Sequence, residues 1–407
     1  MAYIRPIYDR SLSDQGRGGK PIGYEVRYRD ADGRQRTKGG FRRKRDAEAF
    51  AVDVESSRQQ GTLIPHARAS VRFDEVAAAW FESIDGRRKP KTVEGYEGLL
   101  HVHVLPAFGN RRVGSITYGD VDRFVRSIEG LGRRPGTVRN AFYVLKMVLD
   151  YAIRDGNLRI NPCLDVDLPS AQSPEMLFLT GAQVRTLASA IDERWAALAA
   201  RRRTAGRAPY GLLVEMAAFT GLRAGELAAL RTSSLDLRRG TVRVTASASI
   251  VRGRRVEGPP KSRAGRRSVI VNRALCDSLR GHLGDRLLDR DALVFTEAAG
   301  TPLKFGSFYS QRFKPAVRDV LPEHLHGLRF HDLRHTYASL LVEQGAHPKE
   351  MAELMGHSSV QITLDRYSHV MPRMTSALAD RMDHAYRDAA PGEGAGSDRD
   401  SVVVDLR

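Results

Sequence analysis

The chain has 407 residues, too many for one ordinary hydrophobic core, so we expect two or three domains. Its formal net charge of +17 favours a polyanionic partner, above all nucleic acid, although a membrane surface or an acidic protein stays open. Two cysteines can build neither a disulfide framework nor a cysteine-rich zinc site, and no apolar run is long enough to span a membrane. The first ten residues lack the apolar core of a signal peptide. We therefore expect a cytoplasmic protein, close to the nucleoid if the host is bacterial.

The first segment, residues 1–65, is predicted to be a small basic β-sheet followed by one helix. Tyr24, Val26 and Tyr28 alternate with charged residues at the period of a strand, and an acidic, glycine-containing stretch after them indicates a hairpin turn. A helix is predicted over 46–58. Four basic residues just before it are candidates for contacts with DNA phosphates, with a solvated surface hairpin as the alternative: Arg42, Arg43, Lys44 and Arg45.

The second segment, residues 70–168, is predicted to be a helical bundle. Apolar residues recur at helical spacing in three stretches, the first from Phe73 to Trp80. Pro106 and Gly109 are expected to break the chain between helices. Four basic residues placed between the first two predicted helices are candidates for phosphate contacts, with a solvated loop as the alternative: Arg87, Arg88, Lys89 and Lys91.

Three prolines mark a linker over residues 161–175, which is the clearest domain boundary in the chain. The third segment, residues 175–386, is predicted to mix a few strands with a majority of helices. Thr180 and Gln183 form a capping-box pattern at the start of its first helix. Residues 387–407 are rich in glycine, aspartate and serine and are expected to be a mobile tail. The chain as a whole is therefore expected to be multidomain and mainly α-helical.

The run Thr-Gly-Leu-Arg-Ala-Gly-Glu-Leu begins at Thr220. Gly221 interrupts two helical stretches, so Arg223 should lie near the start of the second helix. Free backbone N–H groups at that position favour an anion. Taken alone, Arg223 is more often a surface or salt-bridging arginine.

The run His-Asp-Leu-Arg-His begins at His331. On a helix, His331, Arg334 and His335 share one face. Two imidazoles and a guanidinium on one face can bind a phosphate or move a proton. A metal site is the alternative, but Asp332 is the one further ligand nearby and Arg334 would repel a cation.

Two more candidates follow in the last part of the third segment. Gly356 suits the C-terminus of a helix, and His357 comes directly after it. Tyr367 lies at helical spacing from Leu364. Each is ordinary when taken alone, because a lone histidine is usually a surface or capping residue and such a tyrosine is usually part of a core.

Taken together, these residues form an ordered pattern that resembles the tyrosine recombinase, or phage integrase, family. The order is Arg223, His331 with Arg334, His357 and Tyr367. The flanking runs are similar too: T-G-L-R-x-G-E-L, H-x-L-R-H-T-x-A-S, and L-x-G-H-S-S followed by a tyrosine. A chance match of all these features is very improbable.

The resemblance covers about residues 70–385 and implies a domain organisation. It implies that 70–168 is a helical core-DNA-binding domain and 175–386 a mixed, mostly α, catalytic domain. The basic segment 1–65 is similar, more loosely, to the arm-type DNA-binding domain of longer phage integrases.

The resemblance also implies roles for the residues. Tyr367 would attack a DNA phosphodiester and leave a 3′-phosphotyrosine and a free 5′-hydroxyl. Arg223 and Arg334 would hold the non-bridging oxygens, and His357 would donate a further hydrogen bond to the same phosphate. His331 would be the base that activates the tyrosine, whose ordinary pKa is ~10.

A lysine completes the implied site. Family members carry it in a β-hairpin between the first arginine and the His-x-x-Arg motif, and Lys261 stands at that place as the candidate acid for the leaving 5′-hydroxyl. Lys304 and Lys314 are weaker candidates. Glu226 and His335 are expected to brace the site rather than touch substrate.

No cofactor, metal or ATP is expected, because the phosphotyrosine link conserves the energy of the broken bond. The implied partners are double-stranded DNA attachment sites, bound as a homo-tetramer, with an excisionase and a host DNA-bending protein as further candidates. The implied function is integration or excision of a phage or mobile element. Two alternatives remain: a type IB topoisomerase, and a non-catalytic DNA-binding regulator.

Overall fold

A computed structural model describes most of the chain, namely residues 2–8, 20–170, 175–202, 210–260, 262–367 and 373–388. The chain divides into two compact units, Met1–Ser173 and Pro174–Arg407. Each unit contains a hydrophobic core of its own. The finer division into three domains and a tail stays a prediction. Contrary to the expected start of the mobile tail at 387, residues 387 and 388 belong to a helix (Arg373–Asp388), and 389–407 lie outside the described residues.

The first unit begins with an antiparallel sheet of three strands, ordered β1 (Tyr3–Ile7), β2 (Gly23–Arg29), β3 (Gln35–Phe41). The predicted turn joins β2 to β3, where the Asp30 carboxylate accepts backbone N–H groups of Asp32 and Arg34. Helix α1 (Lys44–Gln59) covers the face that carries the buried Val26. The predicted small basic sheet with one helix is confirmed, and the helix starts two residues earlier than expected.

The rest of the first unit is the predicted bundle. Its helices are α2 (His66–Ala69), α3 (Phe73–Ile84), α4 (Pro90–Leu99), α5 (Leu105–Phe108), α6 (Tyr118–Gly130) and α7 (Pro135–Arg154). Contrary to the prediction, Pro106 does not interrupt the helical path. A π-helical turn (Leu100–Val104) joins α4 to α5, and Pro106 lies in the first turn of α5. Proline is tolerated in a first turn, where its missing N–H removes little.

The second unit is mostly helical, as predicted. Its helices are α8 (Gly181–Arg202), α9 (Tyr210–Thr220), α10 (Ala224–Ala228), α11 (Arg273–Leu283), α12 (Phe305–Phe308), α13 (Lys314–Val320), α14 (Asp332–Glu343), α15 (Pro348–Met355), α16 (Val360–Tyr367) and α17 (Arg373–Asp388). The predicted capping box starts α8, where the Thr180 hydroxyl and the Gln183 amide oxygen each accept the other residue's backbone N–H. Helix α9 is buried almost throughout and forms the centre of this unit.

Five strands lie between α10 and α11. They are β4 (Leu235–Asp236), β5 (Thr241–Val244), β6 (Ser247–Val251), β7 (Arg254–Gly258) and β8 (Arg267–Ile270). An antiparallel sheet has the order β4-β5-β8, and β6 and β7 form a separate hairpin. Val242 pairs with Val269 across β5 and β8, and both side chains are buried in the core. One face of this sheet therefore packs on the core that carries the candidate site.

A matched pair of substitutions tests the core of the bundle. Leu145 is fully buried in α7, whereas Leu131 is 67% exposed after α6. We expect Leu145→Ala to lower the free energy of unfolding by about 2–5 kcal/mol, because it leaves a cavity. Leu131→Ala should change it by no more than about 0.5 kcal/mol. Urea unfolding of the full chain measures both, and equal effects would contradict the described packing.

Candidate active site

Arg223 occupies the turn between α9 and α10, as the sequence predicts. Gly221 has φ +63°, and a Cβ atom there would lie 2.4 Å from the Tyr337 ring, so only glycine fits. Arg223 is the residue before the first turn of α10, and its side chain donates to Glu226 at 2.8 Å. Its side chain remains 40% exposed, so it is accessible to a ligand.

Arg334 is the buried centre of the site. Its guanidinium donates to the carbonyl oxygen of Gly221 at 2.6 Å and to that of Met355. Both acceptors are neutral carbonyl groups, so neither hydrogen bond supplies a negative charge to balance the guanidinium. Burial, with Arg223 and Arg267 nearby, lowers the pKa of Arg334 to about 9. A bound anion would relieve this concentration of positive charge.

A buried ion pair braces the site. Arg267, the first residue of β8, donates to both carboxylate oxygens of Glu226 at 3.3 and 3.0 Å, and to the carbonyl oxygen of Leu354 at 2.7 Å. Burial is the largest single influence on Glu226 and opposes its ionisation. The hydrogen bonds and positive charge of Arg267, together with those of Arg223, outweigh burial, so the pKa of Glu226 is lowered. Glu226 thus lies where it can brace the site, as expected. Its partner Arg267 is a residue that the sequence analysis missed.

Tyr367 and His335 are in direct contact. The tyrosine hydroxyl lies 2.7 Å from Nδ1 of His335, and the tyrosine side chain is 1% exposed. Burial raises the pKa of Tyr367 to about 12, although Arg334 and Arg366 oppose the shift. Burial and the neighbouring His331 lower the pKa of His335 to about 4. At neutral pH the tyrosine is therefore protonated and donates to a neutral imidazole.

His331 precedes α14 and lines a cavity of about 270 Å³ together with Arg223 and Arg334. His331 is exposed as a residue, but its imidazole has lost part of its hydration. This loss, together with the positive charges of Arg334 and Arg223, lowers the pKa of His331. Its ring stands edge-on to that of His335, with 5.4 Å between the centroids. The expected face of His331, Arg334 and His335 is therefore present, but His335 and not His331 contacts the tyrosine.

His357 follows the end of α15, as the sequence predicts. Gly356 ends that helix in the left-handed conformation, with φ +63°, and so directs the chain into the loop. Nδ1 of His357 lies 2.8 Å from the hydroxyl of Thr363. Burial and the surrounding arginines, Arg334 first, lower the pKa of His357 to about 3, so its imidazole is neutral at pH 7.

The predicted lysine, Lys261, lies outside the described residues. Its described neighbours follow β7, the second strand of the β6–β7 hairpin. Of the weaker candidates, Lys304 is exposed before α12. The ammonium group of Lys314 donates to the carbonyl oxygens of His326 and Leu328. These hydrogen bonds give Lys314 a structural role.

The basic residues proposed to contact DNA are all exposed. They are Arg42, Arg43, Lys44, Arg45, Arg87, Arg88, Lys89 and Lys91. Contrary to the prediction, Lys91 is not in the loop between helices, because Pro90 already begins α4. Two of the lysines have acidic neighbours on their own helices: Lys44 pairs with Glu48 and Lys91 with Glu94. Such exposed pairs are weak and can exchange for phosphates.

Among the described residues, no cluster of three or more His, Cys, Asp or Glu side chains could hold a metal ion. None of the described helices is both long and apolar enough to cross a membrane.

Comparison with known families identifies the class of protein. The model of the phage integrase family matches residues 177–374, and that of the phage integrase central domain matches 73–168. Together they cover well over half of the chain. The chain therefore belongs to the phage integrase family of tyrosine recombinases and is a site-specific recombinase, as the sequence motifs predict.

Individual relatives agree with this assignment. The ICEBs1 integrase of Bacillus subtilis is 25% identical over 77% of this chain and 83% of its own length. The integrase of Mycobacterium phage L5 is 25% identical over 83% of this chain and 88% of its own length. The tyrosine recombinase XerC of Alcanivorax borkumensis is 28% identical over 70% of this chain and 85% of its own.

Solved structures share the fold. The Tn1549 transposon integrase in complex with transposon right-end DNA aligns with a TM-score of 0.63 and 21% identity, over 77% of this chain and all of that one. A lambda integrase dimer bound to a core site aligns with a TM-score of 0.54 and 19% identity, over 87% of this chain and 95% of that one. The predicted fold class is confirmed.

The buried ion pair provides a stability test. Glu226→Ala leaves the guanidinium of Arg267 buried without its carboxylate, so we expect it to lower the free energy of unfolding by about 3–5 kcal/mol. The control, Asp277→Ala, removes the partner of Arg280 in an exposed pair and should lower it by at most about 1 kcal/mol. Thermal and urea unfolding measure both, and a mild effect of Glu226→Ala would refute the bracing role.

The pH dependence of stability tests the environment of His335. Because its pKa is about 4 in the folded chain and near 6.5 when unfolded, the unfolded chain binds more protons between these values. Stability should therefore be full above pH 6.5 and fall as the pH drops towards 4, by up to ~1.4 kcal/mol per pH unit. His335→Gln should make this slope shallower, measured by urea unfolding at several pH values. An unchanged slope would contradict a buried, neutral His335.

Proposed function

We propose that this recombinase cuts DNA by attack of the Tyr367 hydroxyl on the scissile phosphodiester. A bond forms between the phenolic oxygen and phosphorus, and the bond from phosphorus to the 5′ oxygen breaks. The products are a 3′-phosphotyrosine and a free 5′-hydroxyl. A 5′-hydroxyl of another strand can reverse the step, because the phosphotyrosine keeps the energy of the original bond.

The observation that carries this proposal is the buried guanidinium of Arg334, which has two carbonyl acceptors and lies near the half-buried Arg223. A phosphodiester gains negative charge during attack, and donors already fixed in place stabilise that charge. We assign the non-bridging oxygens to Arg334 and Arg223. The neutral His357 is assigned a further hydrogen bond to the same phosphate.

The proton of Tyr367 has a short route. A tyrosine with a raised pKa is a poor nucleophile at neutral pH until a base accepts its proton. The sequence suggested His331 as that base, but Nδ1 of His335 lies 2.7 Å from the hydroxyl. We therefore propose His335 as the first proton acceptor, with His331 beside it as the more exposed imidazole that contacts solvent or substrate.

Cleavage also requires Tyr367 to leave its buried position. With 1% of its side chain exposed, the hydroxyl cannot reach a phosphate on a bound duplex. Tyr367 lies in the last described turn of α16, and we propose that a shift of this turn exposes its hydroxyl. We propose Lys261 as the acid that protonates the leaving 5′ oxygen, which balances the proton taken from the tyrosine.

We propose double-stranded attachment sites as the substrate and a homo-tetramer as the active assembly, because two full strand exchanges need four tyrosines. A structure of lambda integrase shows a tetramer bound to a Holliday junction, which supports this assembly. The relatives include phage and prophage integrases, and a solved structure of similar fold is that of a transposon integrase, which supports a mobile element as the carrier. We further propose an excisionase and a host DNA-bending protein as partners. We place the protein in the bacterial cytoplasm, beside the nucleoid.

Two tyrosine variants test the chemistry. Tyr367→Phe should abolish covalent protein–DNA adducts while DNA binding persists, because it removes the nucleophilic oxygen alone. Tyr337→Phe is the matched control, since Tyr337 is also buried in the core of the second unit and is not assigned to the reaction. Adducts with fragmented DNA of the host and its element are trapped under denaturing conditions and counted.

Tyr337→Phe should form adducts at about the rate of the unsubstituted protein. Adducts that persist in Tyr367→Phe would overturn the assignment of the nucleophile. Adducts spread evenly over the DNA would favour a topoisomerase-like activity, whereas adducts at one or two sites support site-specific recombination.

A further inference from the structure

A second basic surface lies on the β4-β5-β8 sheet, away from the candidate site. It is a groove of about 760 Å³, which we call the outer-sheet groove, and its lining includes five exposed arginines: Arg238, Arg239, Arg243, Arg280 and Arg290. The recombinase chemistry described above uses none of them. The groove therefore needs a separate explanation.

The strand register places this groove on the opposite face of the sheet from the site. Side chains alternate between the two faces of a strand, and directly paired residues share a face. Val244 pairs with Arg267, whose side chain reaches Glu226 in the site. Arg243 pairs with Ser268, so both point to the other face. The side chains of Arg243 and Arg267 therefore lie on different faces of this sheet.

The cations of the groove are largely uncompensated. Among the residues that the structure describes, no ion pair involves the side chains of Arg238, Arg239, Arg243 or Arg290. Arg280 pairs with Asp277, and Asp236 accepts the backbone N–H of Arg239. Hydroxyl groups also line the groove, from Ser233, Ser234, Thr241 and Ser268. Arginines and hydroxyls are the side chains that hold DNA phosphates without reading sequence.

We propose that the outer-sheet groove binds the phosphate backbone of a second DNA duplex, while the candidate site holds the first. The inference rests on the recombinase function, which supplies DNA as the ligand. A recombinase must bring two DNA segments together, and a second, sequence-independent contact on each protomer would hold the partner segment close.

The chemistry of the lining favours DNA over an acidic protein. Protein interfaces are anchored by aromatic and large apolar side chains in a desolvated centre. The lining of this groove has no aromatic residue, and its large apolar residues are three leucines, Leu235, Leu237 and Leu287. A phosphate backbone needs no such anchor, because cations and released counterions supply its affinity.

A two-duplex capture assay tests the proposal with the full chain. The protein is loaded on an immobilised duplex of arbitrary sequence, and capture of a second, labelled duplex is measured at increasing salt. Arg239→Gln with Arg243→Gln removes two groove cations. The control, Arg185→Gln with Arg318→Gln, removes two exposed arginines of α8 and α13 and the same charge. Unfolding curves establish that both double variants fold.

We expect the groove variant to capture the second duplex severalfold less, with a salt slope shallower by about 1.8, since each lost phosphate contact contributes ~0.9. It should still bind the first duplex and form covalent adducts, and the control should behave as the unsubstituted protein. Adducts are counted in the same samples, so a failure of the cleavage chemistry is distinguished from a failure of the groove.

Three results would overturn the proposal. One is capture by both double variants at the level of the unsubstituted protein, which would mean that capture arises from association of protomers. Another is an equal loss in both, which would mean that overall charge and not the groove is responsible. The third is a groove that binds a polyglutamate peptide but no second duplex, which would identify an acidic protein as its partner.

Discussion

The active site depends on one buried cation, the guanidinium of Arg334. It joins three distant stretches of chain, because it extends from α14 to the carbonyl oxygens of Gly221 and Met355. Those two carbonyls precede Arg223 and His357 by two residues each. The same contacts that satisfy Arg334 therefore position Arg223 and His357, the other two proposed phosphate ligands. Burying a charge without a carboxylate is costly, and a bound phosphate would offset that cost.

The positive field of this site also sets the proton chemistry around it. Burial and neighbouring cations hold His335 and His357 neutral at pH 7, so one can accept a proton and the other can donate a hydrogen bond. Tyr367 is protonated in the resting site, where its hydroxyl contacts His335. On the proposed mechanism, the resting enzyme keeps its nucleophile buried, and substrate binding supplies the energy that frees it.

The sequence predicted the local features well, because they depend on short spacings. The turn at Gly221, the shared face of His331, Arg334 and His335, and the helix end at Gly356 follow from helical geometry and backbone preference. Contacts between distant segments were not predictable. Arg267 is one arginine among many and gains its importance from Glu226, which lies 41 residues away. The partner of Tyr367 and the two faces of the β5–β8 pair likewise depend on tertiary packing.

The most direct test is to identify the atom that joins protein to DNA. The trapped adduct would be digested with a protease and a nuclease, and the nucleotide-bearing peptide sequenced by mass spectrometry. We predict a nucleotide attached through its 3′-phosphate to the hydroxyl of Tyr367. A nucleotide on any other residue, or one attached through a 5′-phosphate, would contradict the account.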